Sequence, residues 1–249
     1  MLAWHLIPLA LAAEYVDSTL GMGYGTSLTP ILLLLGYSPL EVVPAVLLSE
    51  LATGLLAALL HHRMGNVSFH RGSRDLKIAA ALSAMSVVGA VAAVFMAVSL
   101  PARTVKLYIA IVVLIMGFLI LLKRKGGLSF SWSRLVGVGA IAAFNKGISG
   151  GGYGPLVTAG QIVSGVGAKS AVGITSLAEG LTCAVGVATF LALKPGTSWT
   201  LSPPLLVGAI LSVPLAALTV KRLPEKSFAL VIGLVVLALG ALSLFRALA

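Results

Sequence analysis

Six predominantly apolar stretches, at 39–60, 76–100, 105–122, 168–193, 201–220 and 227–245, recur along the chain. Each approaches or exceeds the roughly 20 residues that a helix needs to cross a bilayer. Inside hydrocarbon every backbone N–H and C=O must find its partner within the protein, so such stretches fold as helices. The composition agrees, since 59 % of the 249 residues are hydrophobic and 10 % charged, against about a quarter charged in a soluble domain. The sequence predicts an all-α integral membrane protein.

Two further apolar regions, 2–36 and 135–165, are each broken by a glycine-rich pentad, Gly21-Met22-Gly23-Tyr24-Gly25 and Gly150-Gly151-Gly152-Tyr153-Gly154. The first region reads as mature sequence, because no Lys or Arg precedes Leu11-Ala12-Ala13 as a secretory signal requires. A shift of 129 residues lays one pentad on the other and continues without a gap, pairing Ala13 with Ala142, Thr29 with Thr158, Gly36 with Gly165, Val43 with Val172, Leu48 with Leu177, Glu50 with Glu179 and Thr53 with Thr182. The chain therefore divides into two transmembrane repeats, 1–125 and 130–249, each a glycine-broken re-entrant or half-helix segment followed by three spans. Duplication of this kind is a signature of many transporters.

If the broken segment enters and leaves on one side, the second repeat is inverted; if it crosses, the repeats are parallel. Inversion puts Arg63, Arg71, Arg74, Lys77, Lys123, Arg124, Lys125, Arg134, Lys221, Arg222 and Lys226 in the cytoplasm, with Arg103, Lys106, Lys194 and Arg246 and both termini outside. That is eleven bases to four, against ten to five for parallel repeats, so retention of positive charge in the cytoplasm favours inversion. The same loop placement accounts for the formal charge of +10 without nucleic acid.

Irregular backbone survives in a membrane only where it is buried in protein or lines a polar cavity. Glycine permits positive φ and close approach of backbone to a ligand, and a new helix is expected from Thr26 and from Pro155. Helix N-termini present unpaired N–H groups and a positive dipole end, which attract anions. The expected anion-binding set is Gly21, Gly23, Tyr24, Gly25, Thr26 and Ser27 in the first repeat, with Asn145, Lys146, Gly150, Gly151, Gly152, Tyr153 and Gly154 in the second. Glycines that merely allow tight helix crossing are the structural alternative. A potassium-type filter is disfavoured, because no Thr-Val precedes either Gly-Tyr-Gly.

Of seven acidic residues, Glu14, Asp17, Glu50 and Glu179 fall within apolar segments, where a charge costs about 2.5 to 3.5 kcal/mol even on lenient scales. Glu50 and Glu179 align, and a carboxyl that gains and loses a proton can couple transport to proton movement; Asp17 joins them as a coupling candidate. Asp17 aligns with Lys146, so either the two pair or Lys146 is the counter-ion of an anionic substrate. His5, His61, His62 and His70 fall near span ends or in a loop, where interfacial placement is expected rather than metal binding. Cys183 reads as a packing residue. No nucleophile and base pair, phosphate loop or metal-spaced cluster appears, so neither catalysis nor a cofactor is expected.

These residues resemble the sulfite exporter TauE/SafE family, also called TSUP. The resemblance rests on Gly21 to Pro30, on Ser149 to Pro155, and on Gly167-Ala-Lys-Ser-Ala-Val-Gly-Ile-Thr-Ser-Leu177, where Ile174 interrupts the family's Gly-Thr-Ser-Leu. The first repeat has Pro44-Ala-Val-Leu-Leu-Ser49 instead. The resemblance implies a multi-pass secondary transporter of the inner membrane that exports a small sulfur-containing anion such as sulfite, sulfoacetate or another organosulfonate. An anion channel, a carrier of small organic carboxylates and a structural subunit stay as alternatives. The expected partners are the anion, protons and lipid, with the chain a monomer or homodimer.

Overall fold

A computed structural model describes residues 3–96, 102–123, 129–149, 153–193, 196 and 198–248. Among the described residues the backbone forms a short 3-10 turn, Trp4–Leu6, and helices α1 Ile7–Leu20, α2 Tyr24–Leu34, α3 Pro39–Arg63, α4 Arg74–Met96, α5 Ala102–Lys123, α6 Trp132–Ser149, α7 Tyr153–Val163, α8 Ala168–Leu193, α9 Ser202–Arg222 and α10 Glu225–Leu248, with no strand. Segments Leu40–Arg63, Ala168–Ala192, Ser202–Arg222 and Glu225–Phe245 are long and apolar enough to cross a membrane. They match four of the six predicted spans. Helices α4 and α5 cover the other two, except that 97–100 lie outside the described residues.

The second five helices repeat the order of the first five: two short elements, then three long ones. Helices α2 and α7 each have 11 residues, and their first and last residues are both offset by the 129 positions seen in the sequence. Both end in the same way. Gly36 and Gly165 each adopt φ 91°, a left-handed conformation that costs glycine little. The Gly36 N–H donates to Leu33 O at 3.1 Å and the Tyr37 N–H to Leu32 O at 3.2 Å; the Gly165 N–H donates to Ile162 O at 3.0 Å and the Val166 N–H to Gln161 O at 2.9 Å. This is the Schellman closure, which satisfies the carbonyls left over at a helix end.

The long helix after each closure is capped differently. At α3, Ser38 and Glu41 form a capping box, the Ser38 N–H donating to Glu41 Oε2 at 3.1 Å. At α8, Gly167 occupies the serine's aligned place, and Glu225 from α10 accepts the Lys169 N–H at 3.3 Å.

The helices gather into two compact units that cut across the repeats. The first comprises Met1–Ala79 and Val172–Arg222, the second Ala80–Ala171 and Leu223–Ala249. In the first unit Leu6, Ala10, Tyr24, Leu28, Leu32, Val42, Ala45, Val46, Leu201, Leu205 and Ala209 make one buried cluster drawn from α1, α2, α3, α9 and flanking residues. In the second, α5 packs along α10 so closely that a Cβ on Gly117 would lie 2.7 Å from Leu237 N, and one on Gly240 2.8 Å from Leu114 N.

Lipid tails are as apolar as side chains, so membrane helices associate through close packing, and small residues let backbones approach. In the first unit α3 crosses α8 at Gly54 and Gly180. A Cβ at Gly54 would lie 2.8 Å from Ser176 O and 2.9 Å from Gly180 Cα, whereas one at Gly180 would meet Leu55 N at 3.2 Å. The first clash is with backbone and cannot be relieved by a rotamer change. Gly54→Ala is expected to destabilise by about 1–3 kcal/mol, the usual cost of overpacking, and Gly180→Ala by less. Thermal unfolding of both variants in lipid nanodiscs checks this, and equal melting temperatures would show that the crossing yields.

Candidate functional site

The break after α1 spans Gly21 to Gly23, with φ 73° at Gly21 and 133° at Gly23. Helix α2 starts at Tyr24, two residues ahead of the expected Thr26, because Gly23 is already its cap: the Ser27 N–H donates to Gly23 O at 2.9 Å. Helix α7 likewise starts at Tyr153 rather than Pro155. Pro155 then falls in the first turn, where its missing N–H leaves no helical bond unmade.

Asp17 serves both sides of the first break. Its carbonyl accepts the Gly21 N–H at 2.6 Å, and its Oδ1 accepts the Tyr24 N–H at 3.0 Å. Glu50 on α3 reaches the same helix end, where a Cβ on Gly25 would stand 2.7 Å from its Oε1. Glycine at 25 is therefore the residue that lets this carboxyl lie against the first turn of α2. The Cys183 thiol donates to the other oxygen, Oε2, at 3.3 Å, so Cys183 does more than pack.

Glu14 stands one turn before Ser18 on α1, and the Ser18 hydroxyl donates to its Oε1 at 2.6 Å. Glu14, Asp17, Glu50 and Glu179 feel one another electrostatically. The first three are thus gathered with Glu179 about the start of α2, within one unit. Glu14 is 1 % exposed and Glu50 9 %, while Glu179 is half-buried.

The remaining residues of the first pentad face other partners. Tyr24 is fully enclosed, and its hydroxyl shares a 2.8 Å hydrogen bond with Ser49. The Thr26 and Ser27 hydroxyls both turn back to the Gly23 carbonyl, although both residues are exposed. In the second repeat Gly150, Gly151 and Gly152 lie outside the described residues, and for Asn145, Lys146 and Tyr153 only the helical backbone is described. Gly154 is buried at the start of α7, followed by a fully buried run from Pro155 to Gln161.

Sequence reading missed the supports beneath the acids. His61 is fully buried rather than interfacial. Its Nδ1 accepts from the Asn66 amide at 3.0 Å, which leaves its Nε2–H to donate to Ser18 O at 3.0 Å. The same amide donates to Ala217 O at 2.9 Å. A signal was present, because positions 50, 54, 57 and 61 fall on one helical face, so His61 shares the inward face of Glu50 and Gly54. The family-like stretch on α8 is buried packing: a Cβ on Gly173 would meet Val67 Cγ1 at 2.7 Å, and the Ser176 hydroxyl donates back to Val172 O at 3.1 Å. Among the described residues no three His, Cys, Asp or Glu side chains are arranged to hold a metal ion.

Because the Asp17 side chain accepts the Tyr24 N–H, Asp17→Ala should destabilise by about 1 kcal/mol, the usual net worth of such a hydrogen bond, with Asp17→Asn recovering most of the loss since its amide oxygen also accepts. Chemical or thermal unfolding of both variants tests this. Equal losses would mean that the carboxylate's charge, and not its hydrogen bond, holds the break.

Comparison with known proteins now adds what geometry alone leaves open. The chain is 25 % identical over 251 aligned positions to a "Probable membrane transporter protein YtnM" of Bacillus subtilis (strain 168), covering 96 % of this chain and 81 % of that one. No solved structure matches. The family model described as "Sulfite exporter TauE/SafE" matches residues 6–243, nearly the whole length, and the chain is therefore a multi-pass membrane transporter of the TauE/SafE family.

Proposed function

We propose that the protein exports a small sulfur-containing anion, sulfite, sulfoacetate or a related organosulfonate, across the inner membrane, coupled to protons. The observation that carries this reading is the contrast at the two glycine breaks. In the first, Asp17 supplies the acceptor for the N-terminus of α2; in the second, the aligned residue is Lys146. A lysine ammonium has three donors and no acceptor, so it cannot cap α7 as Asp17 caps α2. Its positive charge favours an anion, as a helix N-terminus does.

The anion is accordingly assigned to the second break, with Gly150 to Gly154 as the frame, Lys146 as counter-ion and Asn145 as a further donor. Gly21 to Ser27 frame the carboxyls instead, and Asp17, Glu50 and Glu179 are the coupling groups. The name of the matching family supports the choice of a sulfur oxyanion.

The test is flux in proteoliposomes presented separately with sulfite, sulfoacetate, taurine, sulfate and acetate, with internal pH recorded. Saturable flux of sulfite or a sulfonate with a matching pH change is expected, reduced at least ten-fold in Lys146→Ala. Current without a pH change would make the protein a channel. Flux of acetate alone would make it a carboxylate carrier, and no anion flux at all would overturn the proposal.

A further inference from the structure

Glu14 lies outside the groups assigned to coupling above, yet it is the most enclosed of the four acids for which burial decides the chemistry. Its Oε1 is occupied by the Ser18 hydroxyl. Its Oε2 is buried and makes no hydrogen bond among the described residues. A buried, ionised carboxylate oxygen left without a donor loses its hydration and gains nothing in return. A proton on that oxygen resolves the imbalance, because the resulting O–H is a donor and the neighbouring groups include carboxylate acceptors.

The surroundings select a proton over a metal cation. The groups facing Glu14 are Asp17 on its own helix, Tyr24 on α2, Glu50 and Thr53 on α3, and Glu179 on α8. The Thr53 hydroxyl stands beside Glu14, but its single proton is donated to Ser49 O at 2.9 Å, and Tyr24 is bonded to Ser49. No three of the described acids, histidines or cysteines come together as metal ligands. What remains is an unpartnered oxygen beside carboxylates, a setting for a shared proton.

The supports of Glu14 form a chain of fixed groups. Asn66 sets the tautomer of His61, the His61 Nε2–H holds the Ser18 carbonyl, and the Ser18 hydroxyl holds Glu14 Oε1. Each bond removes a way for Glu14 to rotate its free oxygen out of the cluster. His61 and Ser18 are positioning residues; neither passes the proton, since His61 meets a backbone carbonyl.

We propose that Glu14 is the resident proton site of the cluster, holding the proton on Oε2. The inference rests on the proton-coupled reading above and extends it to a further residue.

Infrared difference spectra of the purified protein in lipid, acid minus alkaline buffer, test it without any substrate. The wild type should show a titrating carboxylic C=O band, lost in the isosteric Glu14→Gln. In Ser18→Ala the band should persist at a shifted frequency, because only the donor to Oε1 has gone. His61→Leu should move the midpoint of its pH titration, and His61→Gln should restore it. A band untouched in Glu14→Gln but lost in Glu50→Gln overturns the assignment to Glu14. So does a band that shifts when sodium replaces potassium at constant pH, which would make this a sodium site. Failure of sulfur-anion flux in the wild type bears on the cargo alone, since the band reports on Glu14 whatever the protein carries.

Discussion

A helix interrupted inside a membrane must dispose of the N–H and C=O groups that the interruption frees, and each one left bare in hydrocarbon costs several kcal/mol. Asp17 meets that demand at the first break with two atoms of one residue, its carbonyl taking the Gly21 N–H and its carboxylate the Tyr24 N–H. The arrangement has an electrostatic consequence. A carboxylate suits the positive end of a helix, so the break can keep an acid in a place where the bilayer would otherwise reject it. Glu50 then lies against the same first turn because Gly25 has no Cβ to hold it off. The acid cluster is thus an outcome of how the broken backbone was repaired.

The crossing of α3 and α8 contributes the other half of the cluster. Gly54 and Gly180 let the two backbones approach within van der Waals contact. Glu50 lies one turn before Gly54, Glu179 is adjacent to Gly180, and Cys183 is three residues beyond it. Close crossing at that point brings the Cys183 thiol to Glu50 and Glu179 into the electrostatic reach of Asp17 and Glu14. The packing glycines and the glycines of the break are therefore separate sets: Gly54 and Gly180 set the distance between helices, while Gly21, Gly23 and Gly25 shape the break and open its first turn.

Much of this was legible in the sequence because it is local or repeated. The 129-residue offset anticipates the shared helix bounds of α2 and α7 and the matched closures at Gly36 and Gly165, since a glycine at a helix end has few other uses. The spans follow from hydropathy and length. What periodicity conceals is the partner. Nothing in residues 10–20 says that Ser18 will lie beneath His61, and nothing near Tyr24 says that its hydroxyl will be spent on Ser49. Those pairings depend on which helices become neighbours, and the compact units mix helices of both repeats. The faces could be read, as positions 50, 54, 57 and 61 illustrate, but the opposing face could not.

A duplicated chain begins with two equal halves, and side-chain substitutions on a retained frame make them unequal. Here the frame has been kept, with the same glycines, the same 11-residue half-helices and the same left-handed closures. The charge has been reversed, Asp17 in one copy standing where Lys146 stands in the other, while Glu14 aligns with Ala143 and Ser18 with Gly147. The whole support of the acid cluster, from Glu14 through Ser18, thus belongs to one copy only, whereas Glu50 and Glu179 belong to both. The Asp17 carboxylate accepts the Tyr24 N–H at the first break, and a lysine ammonium has no acceptor to offer in the aligned place. The repeated sequence frame thus carries acids in one copy and a lysine in the aligned place of the other, the two differing by a handful of side chains on α1 and α6.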